Sequence, residues 1–206
     1  MSRDLESKEP GVKEKIIKSA RLLFSEKGYH GTSVQDIAGS AGVNKSMLFY
    51  YFTTKQNLYL SILTDMFEST GLRIRKEIES AEGCLERLRK AVGAYAYSFV
   101  EGRHTARMFL YSYLGLGPEF PVPLEEAFEQ QRQPLVSVLE EGVKKGIFKK
   151  MDCKFMAQAI VGMLNILFKM PCQMQNELSD DEILKYVLDL IENGILGGRV
   201  TDEEVI

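Results

Sequence analysis

Apolar residues recur along this chain with the period of a helix and almost nowhere with that of a strand. Over residues 11–27 they occupy Val12, Ile16, Ala20, Leu23 and Phe24, a single stripe, while Lys13, Glu14, Lys18 and Arg21 face away. Gly28 supplies a C-cap signal and Gly31 a second loop signal. Val34, Ile37, Ala38 and Ala41 then fall at i, i+3, i+4 and i+7, which predicts a short second helix stopped by Gly42. Its start reads two ways. Ser33 with Asp36, or Thr32 with Gln35, each has capping-box spacing, and Ser33 is preferred. A third helix begins after Asn44, a good N-cap type, with Val43 and Leu48 at hydrophobic-staple spacing. Thr53 and Thr54 offer the next stop and restart. Leu58, Ile62, Met66 and Phe67 then open a long helix that reaches about Ser80.

The remainder also reads helical, over about 84–100, 103–115, 124–146, 152–176 and 180–196. GLGPEFPVP at 115–123 is the one clear Pro/Gly break. No useful alternating pattern, internal repeat or low-complexity tract appears. The expected fold is all-α, three short helices followed by a larger helical bundle.

Composition narrows this picture. Hydrophobic residues make 45% and charged residues 27%, a globular balance that argues against disorder of the whole chain. No apolar run reaches the roughly 18 residues of a membrane span. The N-terminal MSRDLESKEPG lacks an apolar core and reads as a frayed arm rather than a signal peptide. Cys84, Cys153 and Cys172 have no metal-type spacing and read as reduced thiols of a cytoplasmic protein. Neither a metal nor a cofactor is expected. The net charge of −3 is unevenly spread: residues 1–60 hold nine Lys/Arg against six Asp/Glu. A basic head on an acidic body suggests that the head meets an anion, although a surplus of this size also arises by chance.

Two short helices joined by a Gly-containing turn have helix-turn-helix dimensions. With Leu48 set at 0° and about 100° per residue, Phe52 falls at about 40° and Tyr51 at about −60°, so these can pack inward. Ser46 at about 160° and Tyr50 at about 200° point directly away, with Met47 and Phe49 beside them. An outer face of Ser, Met, Phe and Tyr suits base edges and thymine methyls in a major groove. Lys45 and Lys55 each follow an N-cap, where the helix dipole favours an acid and a cation costs roughly 0.3–1 kcal/mol. Two such lysines suggest an external phosphate at the helix starts; the bland alternative is a pair of solvated surface lysines.

The stretch GYHGTSVQDIAGSAGVNKSMLFYYFTTKQNLY resembles the DNA-binding module of the tetracycline-repressor (TetR) family. Gly28-Tyr29, Thr32-Ser33, Ile37-Ala38, Gly42-Val43, Lys45, Leu48-Phe49, Tyr51-Phe52 and Lys55 with Leu58 carry the likeness, over Ile16 to Leu60. The resemblance implies a helix-turn-helix DNA-binding domain over 1–53, ordered from about 11, and an effector-binding and dimerisation domain over 54–206. It places Lys45, Ser46, Met47, Phe49 and Tyr50 on a recognition helix, and Gln35 within reach of a base. It places Thr32, Ser33, Tyr51 and Lys55 at phosphate contacts. Met47 and Phe49 depart from more usual hydroxyl-bearing residues, so readout leans on apolar contact and shape.

The resemblance also implies a homodimer on a palindromic duplex operator. FMAQAIVGMLNILFKM at 155–170 is apolar nearly all round, and residues 183–196 carry a wide apolar stripe. Met156, Ile160, Met163 and Leu167, with Leu184, Val187, Leu188 and Ile191, are the expected interface; the alternative is intrachain core. By the same analogy the ring-rich stretch 94–123 lines a pocket for an apolar or aromatic effector. Its candidates are Tyr95, Phe99, His104, Met108, Tyr111 and Phe120, though His104 also reads as an exposed surface histidine. The implied function is a ligand-responsive repressor. The alternatives are a DNA-binding regulator without effector, or a helical protein-interaction module. No G-x-S-x-G, H-E-x-x-H or phosphate loop is present, so no enzyme is expected and no catalytic residue is assigned.

Overall fold

The computed structural model describes residues 11–102, 104–106, 108, 122–169 and 178–196. Among them run α1 (Val12–Lys27), α2 (Val34–Ala41), α3 (Lys45–Phe52), α4 (Lys55–Glu79), α5 (Cys84–Glu101), α6 (Val122–Lys144), α7 (Cys153–Lys169) and α8 (Asp180–Ile195). Residues 104–106 and 108 are also helical. An isolated antiparallel bridge joins Phe148 to Leu196, where the Lys149 N–H donates to the Ile195 carbonyl at 2.9 Å. No described helix is long and apolar enough to cross a membrane.

Local chemistry sets the boundaries of the first four helices. Ser33, not Thr32, caps α2: its Oγ accepts from the Asp36 N–H, and the Asp36 carboxylate accepts from the Ser33 N–H at 3.0 Å. Those hydrogen bonds, led by the one from the Ser33 hydroxyl, hold the Asp36 carboxyl below the usual carboxylate range. Gly42 stops α2 at φ 67°, in the left-handed region that suits glycine. Asn44 caps α3 by accepting from the Met47 N–H at 2.8 Å, and Thr54 caps α4 by accepting from the Asn57 N–H at 3.0 Å. A second capping box, Ser179 with Glu182, opens α8.

Further along, α6 starts at Val122, inside the stretch read as a break. Pro123 then sits in the first turn, where a missing N–H is no loss. The expected helical residues 109–115 and 170–176 lie outside the described ones.

Two apolar cores form. One joins Ile16, Phe24, Ile37 and Leu48 of the first three helices to Leu58, Ile62 and Phe67 of α4, and continues into Leu124 and Ala127 of α6. The other packs the end of α4 with α5, the second half of α6, α7 and α8. Helix α4 therefore carries both: its first half completes the head and its last turns enter the body. The body is closed by a tight corner after α6. Gly146, at φ 71°, reverses the chain, and Ile147 and Phe148 donate to the Gly142 carbonyl at 2.9 and 3.1 Å. The Phe148 ring then covers Gly142, where any Cβ would fall inside the ring. Gly142→Ala is therefore expected to lower stability by about 1–3 kcal/mol, read from the midpoint of denaturant unfolding.

Candidate nucleic-acid interface

The head exposes one face of α3. Leu48 and Phe52 are buried and anchor the helix, each contributing roughly 1.5–3 kcal/mol by burial. Tyr50 is 80% exposed, and Met47, Phe49 and Tyr51 stand out of the surface beside it. Lys45 and Ser46 are exposed in the first turn, and Gln35 is exposed on α2. The Tyr50 ring meets Tyr51 edge-on at 5.2 Å, which presets its orientation. Three large apolar or aromatic side chains and a tyrosine edge, unburied on two turns of helix, form a patch that solubility does not require. The expected two-faced helix is present, except that Tyr51 points half outward rather than into the core.

The proposed phosphate contacts divide. Thr32 is corrected: it is 1% exposed, and its single hydroxyl proton is shared between the Gly28 and Leu23 carbonyls at 2.8 and 3.1 Å. This side chain closes the end of α1 and does not face outward. Ser33 is at the surface, but its hydroxyl proton goes to Asp36 at 2.7 Å. Lys55 has partners within the chain. Its ammonium donates to the Tyr29 and Thr32 carbonyls at 2.9 and 3.0 Å, and lies 4.2 Å from the centroid of the Tyr29 ring. It ties the start of α4 to the loop between α1 and α2. Lys55→Met is expected to cost about 1–3 kcal/mol of stability, read by thermal or denaturant unfolding, and to leave the salt dependence of DNA binding unchanged. A slope reduced by about one unit at unchanged stability would instead restore Lys55 to the phosphate contacts.

The body candidates also sort by environment. Tyr95 and Phe99 are buried side by side at 4.9 Å, and the Tyr95 hydroxyl donates to Asn165 Oδ1 at 3.4 Å. Burial pushes the Tyr95 phenol well above its usual range. Met108 belongs to the head core instead, and its carbonyl accepts from the Tyr59 hydroxyl at 2.9 Å. His104 is exposed and its Nδ1 lies 2.9 Å from Ser25 Oγ on α1. Since the single Ser25 hydroxyl proton goes to the Leu22 carbonyl, the His104 Nδ1–H is the donor. His104 thus meets the head, away from Tyr95. Tyr111 and Phe120 lie outside the described residues.

On α7 and α8, Ile160, Val187 and Ile191 are buried in the chain's own core, which corrects their place at an interface. Met156, Met163, Leu167, Leu184 and Leu188 are half-buried against the same core. The outward apolar residues are Phe155 and Ile166, on the helix read as apolar nearly all round, and Tyr186 and Leu190, which the stripe over 183–196 passes over. For Tyr186 and Leu190 the signal is the residue type alone: large apolar side chains on the back of an amphipathic helix.

A capped pair of short helices with an aromatic outer face defines a helix-turn-helix DNA-binding regulator. Residues 16–62 match the family model for bacterial regulatory proteins of the tetR family, and residues 81–169 match that for a tetracyclin repressor-like C-terminal domain. The HTH-type transcriptional repressor KstR2 of Mycobacterium tuberculosis is 30% identical over 140 residues, 65% of this chain and 68% of the relative. Among solved structures, PfmR of Thermus thermophilus superposes with a TM-score of 0.75 at 27% identity, covering 89% of this chain and 96% of that one. FadR of Bacillus subtilis, solved in complex with stearoyl-CoA, superposes with a TM-score of 0.75 at 21% identity, over 87% and 97%. The chain belongs to the TetR family of transcriptional regulators.

Proposed function

We propose that the chain is a repressor that binds a palindromic operator as a homodimer and is released by a small apolar effector. The head, residues 1–53, reads DNA, and residues 54–206 bind effector and partner. The observation that carries the reading is the outer face of α3, where Tyr50 is the most exposed large side chain. In this reading Ser46, Met47, Phe49 and Tyr50 meet bases in the major groove, with Gln35 beside them. Lys45 and Tyr51 meet phosphates beside the starts of α2 and α3.

In this reading the effector lies against Tyr95 and Phe99, where the buried Tyr95 phenol, bonded to the half-buried Asn165 amide, interrupts an apolar interior. The stearoyl-CoA of B. subtilis FadR supports an effector with an apolar chain in this fold without specifying one here. The effector acts only if it binds one separation of the two heads better than the other. The test is DNA binding by the purified chain to the duplex upstream of its own gene, against a random duplex, with and without a panel of acyl and aromatic compounds. Binding to both duplexes alike would sink the reading. Specific binding that no compound releases would retain the DNA reader and remove the effector.

A further inference from the structure

Two cations of α1, Lys18 and Arg21, are set apart from those of the body. In the body, Arg73 pairs with Glu101, Arg87 with Glu141, Arg89 with Glu192 and Lys90 with Glu77. Lys18 and Arg21 of α1 form no ion pair among the described residues, and both are exposed. With Lys15 they fall at i, i+3 and i+6, so they share a side of the helix. That side opens on a crevice of about 600 Å³ whose lining includes Lys15, Lys18, Arg21, Ser19, Ser40 and His104, with no carboxylate among the described residues. The neighbouring crevice, which shares Arg21, is by contrast acidic as well as basic, with Asp65 and Glu101 in its wall.

We propose that the crevice between α1 and His104 is a binding site for a small organic diphosphate. Lys18 and Arg21, with Lys15 in the same wall, suit more than one negative charge, and two hydroxyls add hydrogen bonds. The volume is that of a small-molecule site rather than of a bare ion. Exposed Leu22 and half-buried Ala41 give the organic part an apolar wall. DNA phosphates are the competing source of the same chemistry. The position argues against them, because His104 belongs to the body side and Ser40 and Ala41 end α2 opposite its capped start.

The site has one wall on the head and one on the body. The bond from His104 to Ser25 already joins the two there. A ligand held between Lys18, Arg21 and His104 fixes the head against the body, and so biases the head separation independently of any effector near Tyr95.

The experiment is isothermal titration of the full chain with adenosine diphosphate and with inorganic pyrophosphate, using adenosine as the uncharged control. Saturable binding of at least one of the two anions is expected, with none for adenosine. The double variant K18Q/R21Q is expected to weaken that binding about tenfold or more at an unchanged melting temperature. Its salt slope on random duplex DNA is expected to stay that of the parent. Failure of both anions to bind, or equal binding by parent and variant, overturns the site. So does a slope that falls by about two units, since the cations would then be DNA contacts. None of these readouts depends on operator or effector, so the regulatory reading stands or falls separately.

Discussion

Tyr50→Ala is expected to weaken operator binding by about 1–3 kcal/mol per half-site, and by about twice that for a dimer bound at both, while random-duplex binding stays within a few tenths of the parent. The asymmetry comes from what the side chain touches. Tyr50 is 80% exposed, and no described core residue packs on it, so its removal should change fold stability by less than about 0.5 kcal/mol. Leu48, two residues away and fully buried, behaves oppositely: Leu48→Ala should cost about 2–5 kcal/mol of stability and lose both kinds of binding together. Fluorescence anisotropy on the two duplexes, with unfolding curves for each variant, separates these cases. Equal loss of specific and nonspecific affinity at Tyr50→Ala would remove it from the base contacts. Phe49→Ala is expected to follow in the same direction, since its ring stands on the same face.

Most of the head is legible in the sequence, for a definite reason. Caps and helix faces are local: Ser33 with Asp36, Asn44 with Met47 and Thr54 with Asn57 each span three residues, and the two-faced α3 follows from the helical period. Thr32 and Lys55 are not legible, because their partners are set by the folding of a loop. The Lys55 ammonium reaches carbonyls 26 and 23 positions earlier, at Tyr29 and Thr32, and no spacing rule reports that the loop lies above it. A lysine at a helix start reads as an unsatisfied cation in sequence and is a satisfied one in the fold. Met108 is misplaced for a related reason. Its neighbours in sequence are ring-rich body residues, yet its side chain closes the core of the head.

The body shows a second kind of limit. An apolar stripe says that a helix face is buried, but not by what. Ile160, Val187 and Ile191 are consumed within the chain, so the apolar surface left for the proposed partner lies one step around each helix.

That surface makes the last prediction a large one. Leu190→Asp, alone or with Ile166→Asp, is expected to convert the proposed homodimer to monomer at micromolar concentration. Each buried large apolar side chain contributes about 1.5–3 kcal/mol, and two-fold symmetry counts every substitution twice. A carboxylate forced into the same contact adds its desolvation cost. The dimer dissociation constant should therefore rise by about a thousandfold or more, read by sedimentation equilibrium. Leu72 supplies the control, since it is 63% exposed like Leu190 but stands on α4. Leu72→Asp should leave the dimer intact. The opposite outcome, with dissociation by Leu72→Asp and none by Leu190→Asp, would move the interface to the α4–α5 side. For the monomer produced by Leu190→Asp, the two heads lose their fixed separation, so operator affinity should fall to that of a single head although every residue of α3 is unchanged.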